Sequence, residues 1–244
     1  MKILFVIAFV GCVAFPNQAQ ERRIPQSEFE RAFKESYNIV TIWNGKAFRK
    51  RLSVESRSPA SGYRLEQVSE FDGRGATRMI YNEQVDGRPP RATREIIGIG
   101  NTHHLRDVGK TVWWTRSVGK REEMDYHRAY VPDPFEVQAV RDHFIRSKFQ
   151  INSKQTAFGV LGNELIKNET ATVYKTTEKI TGTEKKTGLP METSAVMKYW
   201  FGPNGIILRS ESVSTGRIGN DHFFLRIIGV WELDETIAIS APGP

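Results

Sequence analysis

The sequence predicts a mainly β (α+β) fold: a strongly curved antiparallel sheet, or half-open barrel, covered by about two short helices. Short runs rich in Val, Ile, Thr and aromatic residues recur from about residue 46 to residue 240, separated by Gly, Asn, Asp and Pro. Strand follows strand without a helical crossover, which favours antiparallel pairing. A chain of 244 residues is long enough for one such domain.

The N-terminus has the pattern of a secretory signal peptide. Lys2 supplies one positive charge, and an apolar stretch follows from Ile3 to Phe15. This stretch is shorter than the roughly 20 residues that a membrane-spanning helix needs. We expect removal of residues 1–19 and export of residues 20–244, as a single β-rich domain, to the periplasm or the outside of a bacterial cell, in soluble form.

Cys12 is the single cysteine of the chain and leaves one alternative open. A cysteine after Phe9-Val10-Gly11 resembles the end of a lipoprotein signal, and lipidation at Cys12 would tether the protein to a membrane. Phe9 is unusual at its position in such a signal, which favours a signal peptide that is cleaved after Cys12. The mature chain then has no cysteine, which excludes disulfides and thiol catalysis.

Two helices are expected. Ser27 and Glu30 have the spacing of a capping box, which predicts a helix over 27–37 whose side chains Phe29, Phe33 and Tyr37 pack on the sheet. Asp133 and Pro134 suit the start of a second helix, and apolar residues at helical spacing follow them.

These helices divide the β pattern. A first sheet region is predicted over 46–117, a helical or loop insert over 118–155, and a second sheet region over 157–240. The expected strands are 46–56, 63–72, 76–84, 92–99, 102–107, 111–117, 157–165, 170–182, 193–201, 206–215, 222–233 and 236–240.

The best-specified hairpin turns at Gly202–Gly205. A four-residue loop there places Phe201 opposite Ile206 and Tyr199 opposite Leu208, which gathers apolar side chains on one surface. Alternation in the next strand adds Leu225 and Ile227. The candidate ligand-binding residues are therefore Tyr199, Phe201, Ile206, Leu208, Leu225 and Ile227, and the alternative is that all six are core.

Known catalytic and metal-binding patterns are missing from the sequence. His103 and His104 are adjacent in a predicted strand, so their side chains point to opposite faces and cannot share one ion. No G-x-S-x-G turn is present. We expect no metal, no cofactor and no catalytic residue. The net charge of +7 indicates a surface of mixed sign with a modest basic excess, and attraction to anionic lipid headgroups or another acidic surface is the alternative; export argues against nucleic acid as a partner.

Several segments together resemble a known group of exported proteins. They are Met197–Phe201, Gly205, Leu208–Glu211 and Ile237–Pro242. With the signal peptide and the first helix, they look like the bacterial lipoprotein carrier (LolA-like) and LppX-like proteins, over about 46–242. The resemblance implies a half-open barrel with a concave apolar cavity suited to acyl chains.

Three functions stay open. The first is an exported, non-enzymatic protein that binds a lipid or a lipoprotein, with peripheral membrane association. The second is a structural or protein-interaction module of the cell envelope, and the third is a hydrolase with an unrecognised site.

Overall fold

A computed structural model describes residues 21–38, 45–59, 61–86, 88, 93–119 and 136–243. Twelve strands and two α-helices lie in this part of the chain. The helices are α1 (Gln26–Asn38) and α2 (Glu136–Lys148). The strands are β1 (Arg22–Ile24), β2 (Ala47–Ser58), β3 (Ser61–Asp72), β4 (Thr77–Val85), β5 (Arg94–Ile99), β6 (Thr102–Asp107), β7 (Trp114–Ser117), β8 (Phe149–Ile166), β9 (Glu169–Glu184), β10 (Pro190–Phe201), β11 (Ile207–Ile218) and β12 (Asp221–Leu233).

The strands form one open, curved antiparallel sheet, which confirms the predicted fold class. Its order is β1-β8-β9-β10-β11-β12-β2-β3-β4-β5-β6-β7. Two runs of consecutive hairpins, β8 to β12 and β2 to β7, are therefore joined where β12 pairs with β2. Residues far apart in the sequence, such as Ile227 and Val54, face each other at this junction.

The sheet has an inner face that packs on the helices and an outer face. Along β10, Met191, Ala195 and Tyr199 are buried, whereas Glu192 and Ser194 between them are exposed. Because side chains alternate along a strand, the first set lies on the inner face and the second on the outer face. The main core cluster lies between the inner face and the two helices.

Helix α1 begins one residue earlier than predicted. The carbonyl of Pro25 accepts the amide hydrogens of Glu28 and Phe29, so Pro25 caps the helix and Ser27 already lies inside it. The predicted capping box is therefore wrong, and the Glu30 carboxylate accepts from Gln26 Nε2 instead (2.7 Å). Phe29 and Phe33 do pack in the core. The Tyr37 side chain lies outside the described residues.

Two of the predicted strands differ from the structure by more than three residues. Strand β8 begins at Phe149, inside the predicted insert 118–155. The prediction missed this start because residues 150–156 are mostly polar and carry no apolar alternation. They are held instead by pairing with β9, with β-bulges at 151–153 and 160–162. Residues 236–240 pair with no described strand, since the Asp234 carboxylate accepts the amide of Thr236 in a turn.

The predicted signal peptide 1–19, Cys12 and the Asp133-Pro134 helix start lie outside the described residues. Among the helices that are described, none is long and apolar enough to cross a membrane.

Alternating charges cross the outer face from β2 to β6. Arg49 pairs with Glu70 (2.9 Å), and Arg78 contacts both Glu70 (3.5 Å) and Glu95 (2.6 Å). Arg106 also pairs with Glu95 (2.6 Å). We call these five residues the charge ladder. It links five neighbouring strands through their side chains.

Glu95 is the buried member of the charge ladder. Its burial alone raises the pKa, but hydrogen bonds from Arg78 and Arg106 outweigh burial and bring the pKa of Glu95 below its ordinary value of 4.5. A carboxylate with a lowered pKa stabilises the folded state above its unfolded pKa. That contribution is lost as the pH falls through the folded pKa.

We therefore expect Glu95→Gln to lower the free energy of unfolding by about 2 kcal/mol at pH 7. The deficit against the unmodified protein should shrink as the pH falls below 4.5, where the carboxylate becomes protonated. Urea unfolding from pH 7 to pH 3 measures it, with the exposed Glu66→Gln as the control. A deficit that does not change with pH contradicts the assignment.

Candidate ligand-binding face

Aromatic side chains form the centre of the inner face. Phe33 of α1 meets Tyr199 and Phe201 of β10 edge-on, with ring centroids 4.7 Å and 4.9 Å apart. Phe29, one turn earlier, lies 4.9 Å from Phe158 of β8. Helix α1 thus covers this part of the inner face with aromatic side chains.

Four of the six predicted ligand-binding residues lie in this filled core. Tyr199, Phe201, Leu225 and Ile227 are buried in the main cluster, together with Phe33 and Val137 from the helices. Ile206 packs against the same cluster and is only partly buried. The structure therefore brings five of the predicted residues together in and around one core cluster.

Leu208 does not join them, and the predicted hairpin register is wrong. Phe201 pairs with Ile207 and Tyr199 with Ser210, because a bulge lies between Trp200 and Phe201. A turn of 3-10 helix at Pro203–Gly205 closes the hairpin. The bulge leaves Leu208 on the outer face, where it packs with Trp200 and Val173.

Small side chains form the surface on which α2 lies. Ala195 of β10 and Ser210, Ser212 and Ser214 of β11 are fully buried on the inner face, where α2 packs on β11 and β12. Small residues let a helix approach a sheet closely. Within the described part of the chain, the three serine hydroxyls have no hydrogen-bond partner, which is uncommon in a protein interior.

Buried charges fasten α2 to the sheet. Arg141 of α2 is 0% exposed and pairs with Glu178 of β9 (2.8 Å), and its Nη1 donates to the sulfur of Met197 (3.0 Å). Lys50 of β2 is 1% exposed and pairs with Glu136 at the start of α2 (2.7 Å). A buried ion whose partner is removed is costly, so these pairs define where α2 lies.

Tyr199 lies next to this charged region. Burial raises the pKa of its hydroxyl above the ordinary value, and the neighbouring Arg141 opposes that shift. Tyr199 therefore stays neutral at physiological pH, and its hydroxyl donates to Gln138 Oε1 of α2 at 3.4 Å.

The apolar inner face continues onto β3 and β4. Tyr63, Leu65 and Phe71 of β3 and Met79 of β4 pack against the main cluster and remain only partly buried. Helix α1 packs mainly on β8 and on the 3-10 turn Pro203–Gly205, and α2 mainly on β8, β11 and β12. Both strands are predicted from the sequence, but these four residues are not among the predicted ligand-binding residues. The signal was present as alternation at 63, 65 and 71.

The two adjacent histidines lie apart from one another in the structure. His103 is buried and His104 is partly exposed, on opposite faces as predicted, and His104 Nδ1 lies 3.2 Å from Thr115 Oγ1. Nowhere in the described ranges do three or more His, Cys, Asp or Glu side chains gather as metal ligands would.

A mutant cycle on Lys50 and Glu136 tests the attachment of α2. We expect Glu136→Gln to cost about 3 kcal/mol, because it removes the carboxylate that lies 2.7 Å from the buried ammonium. Lys50→Met should cost less, and the double variant should resemble Lys50→Met, so the coupling free energy equals the cost of Glu136→Gln, about 3 kcal/mol.

Urea unfolding measures all three variants. The exposed pair Arg217–Glu192 is the control (3.0 Å; side chains 59% and 61% exposed), and its coupling should be too small to measure. Additive effects of the Lys50 and Glu136 substitutions would show that the pair does not hold α2.

Several solved structures are distantly similar to the chain. LprF from Mycobacterium bovis matches 90% of this chain and 99% of its own, at 11% identity and a TM-score of 0.40. A DUF1329 family protein from Desulfovibrio piger matches 86% and 94%, at 7% identity and a TM-score of 0.24. A chain of the MucA/MucB complex from Pseudomonas aeruginosa matches 84% and 95%, at 9% identity and a TM-score of 0.25.

No protein-family profile matches the chain, and no curated protein matches it in sequence. The likenesses to solved structures are too distant to indicate a function. The sheet itself has the architecture that the resemblance to LolA-like and LppX-like proteins implies: open, curved and antiparallel, with two short helices among its described elements.

Proposed function

We propose that this protein is an exported, non-enzymatic binding protein of the bacterial cell envelope. Its ligand is an acyl chain of a lipid or of a lipid-modified protein, which lies against the inner face of the sheet. The proposal rests mainly on one observation: the apolar inner face extends beyond the strands on which α1 and α2 mainly pack, to Tyr63, Leu65, Phe71 and Met79.

Burial of apolar surface supplies the driving force. Each square ångström of apolar surface removed from water contributes about 25 cal/mol, so an acyl chain across β3 and β4 gains affinity from length alone. The neighbouring core, with Leu52 and Val54 of β2, gives the chain a rigid apolar surface to lie on. The Arg141–Glu178 and Lys50–Glu136 pairs support α2 as one wall of this site.

Binding of an acyl chain is tested with cis-parinaric acid, whose fluorescence rises in an apolar site. We expect saturable binding, weakened at least about tenfold by Met79→Glu, because a carboxylate on the inner face meets the apolar chain. Ile80→Glu is the matched control: it carries the same new charge on the next residue, on the outer face of the same strand.

Native mass spectrometry of protein purified without detergent should also show bound lipid. Thermal unfolding confirms that both variants are folded. A mass without bound lipid, together with no binding of cis-parinaric acid, would contradict the proposed function. An equal loss of affinity in both variants would contradict the proposed location of the site.

Export is tested by the mature N-terminus. The pattern of residues 1–19 supports cleavage before Gln20, and intact mass after expression in a bacterial host should equal that of residues 20–244. A mass with three added acyl groups on Cys12 would instead establish the tethered alternative. A full-length mass would contradict export.

A protein-interaction role is the second candidate, because the outer edge of β7 is apolar. Val112 and Trp114 are 63% and 55% exposed, and Val108 is also exposed. Exposed apolar side chains beside an edge strand are a common contact for an added strand. A partner that binds the unmodified protein and not Trp114→Ser, while cis-parinaric acid binds neither, would favour this role.

A further inference from the structure

A cleft of about 680 Å³ lies on the outer face, away from the apolar site. Four strands, β9 to β12, form it near their ends. Seven of its lining residues have their side chains on the outer face: Lys179, Thr181, Glu192, Ser194, Thr215, Arg217 and His222. Between them, Ile180 and Phe223 turn inward into a second core cluster. The side chains that the cleft presents on the outer face are therefore polar or charged, unlike the apolar side chains of the inner face.

The strand register brings hydroxyl donors to the middle of the cleft. Ser194 of β10 lies opposite Lys179 on one side and opposite Thr215 on the other. In the next row, Glu192 lies opposite Thr181 and Arg217. Short side chains in the middle and long ones around them give the cleft its depth.

Cations flank these hydroxyls. Lys179 and Arg217 are two strands apart, about 10 Å across the sheet. Arg217 contacts Glu192 (3.0 Å) and lies opposite His222 of β12 in the strand register. In the described part of the chain, Lys179 is exposed and has no ion pair. With two cations, an imidazole and one carboxylate, the cleft has a net positive charge.

We propose that this cleft binds a phosphorylated sugar. Lys179 and Arg217 bind the phosphate oxygens by charge-assisted hydrogen bonds, and Ser194 and Thr215 donate further ones. The Glu192 carboxylate repels a phosphate but accepts from sugar hydroxyls, so it lies towards the sugar. The volume is in the range of small-molecule sites and leaves room for a ring beside the phosphate.

The charged and hydroxyl side chains that the cleft presents on the outer face separate this ligand class from the acyl chain of the inner face. The two sites lie on opposite faces of one sheet, so each can be lost without the other. The cleft does not depend on the proposed lipid-binding function.

The test uses glucose 6-phosphate, glucose and inorganic phosphate as probes, each up to about 10 mM at constant ionic strength. Amide shifts in ¹H–¹⁵N spectra report binding. We expect saturable shifts at Thr181, Ser194 and Thr215 with glucose 6-phosphate, and at least tenfold weaker binding of the other two probes, since each supplies about half of the contacts.

The double variant Lys179→Gln/Arg217→Gln should lower the affinity for glucose 6-phosphate at least about tenfold. Lys186→Gln removes one exposed cation from the 184–189 loop, outside the cleft, and should leave its affinity unchanged. Glu192→Gln should lower the affinity for glucose 6-phosphate but not the affinity for inorganic phosphate.

No saturable shift with any probe would overturn the proposal. Equal affinity for inorganic phosphate and glucose 6-phosphate would overturn the sugar component. Shifts that persist in the double variant would show that the anion binds elsewhere. Cis-parinaric acid titration of the same variants should be unchanged in every case.

Discussion

A long open sheet with an apolar inner face cannot remain uncovered in water, and most of this architecture follows from that constraint. Helix α1 meets it with aromatic side chains, where Phe29 and Phe33 pack on β8 and β10. Helix α2 lies on a surface of alanine and serine. The partly buried residues of β3 and β4 extend the same face. The proposed ligand is a further cover of the kind that the helices already supply.

The covering by α2 has an unusual energetic basis. Val137 and Ile145 pack in the core clusters, as is usual for a helix on a sheet, and in addition two buried cations, Arg141 and Lys50, connect α2 to β9 and β2. Desolvation of such ions offsets much of their attraction, so the pairs add little net stability. They do penalise any other placement of α2, because displacement separates oppositely charged groups inside the protein. Specific placement of one wall is what a shaped binding site requires.

The outer face follows different physics. It is accessible to water over much of its area, so polar side chains are tolerated there, and cross-strand pairs organise them. From β2 to β6 the charge ladder satisfies its own ions, with the Glu95 carboxylate shared between two arginines. From β9 to β12, Lys179 has no ion pair within the described residues, and hydroxyls take the middle positions. The charged side chains on the outer face therefore pair with one another at one end of the sheet, whereas at the other end the proposed cleft offers Lys179 and hydroxyl groups to a polar ligand.

The sequence by itself determined the β-rich class, the approximate strands and the positions of both helices, because side-chain alternation and helical spacing are local properties. It also determined that Tyr199, Phe201, Leu225 and Ile227 share a face. Only the tertiary structure decided which part of that face is filled, since this depends on where α1 and α2 pack. A single bulge at Trp200 moved Leu208 to the other face, and no local pattern indicates it. The pairing of β12 with β2 and the outer cleft likewise arise from contacts between distant segments. The loop-closure entropy that such contacts cost is offset only when the whole sheet forms.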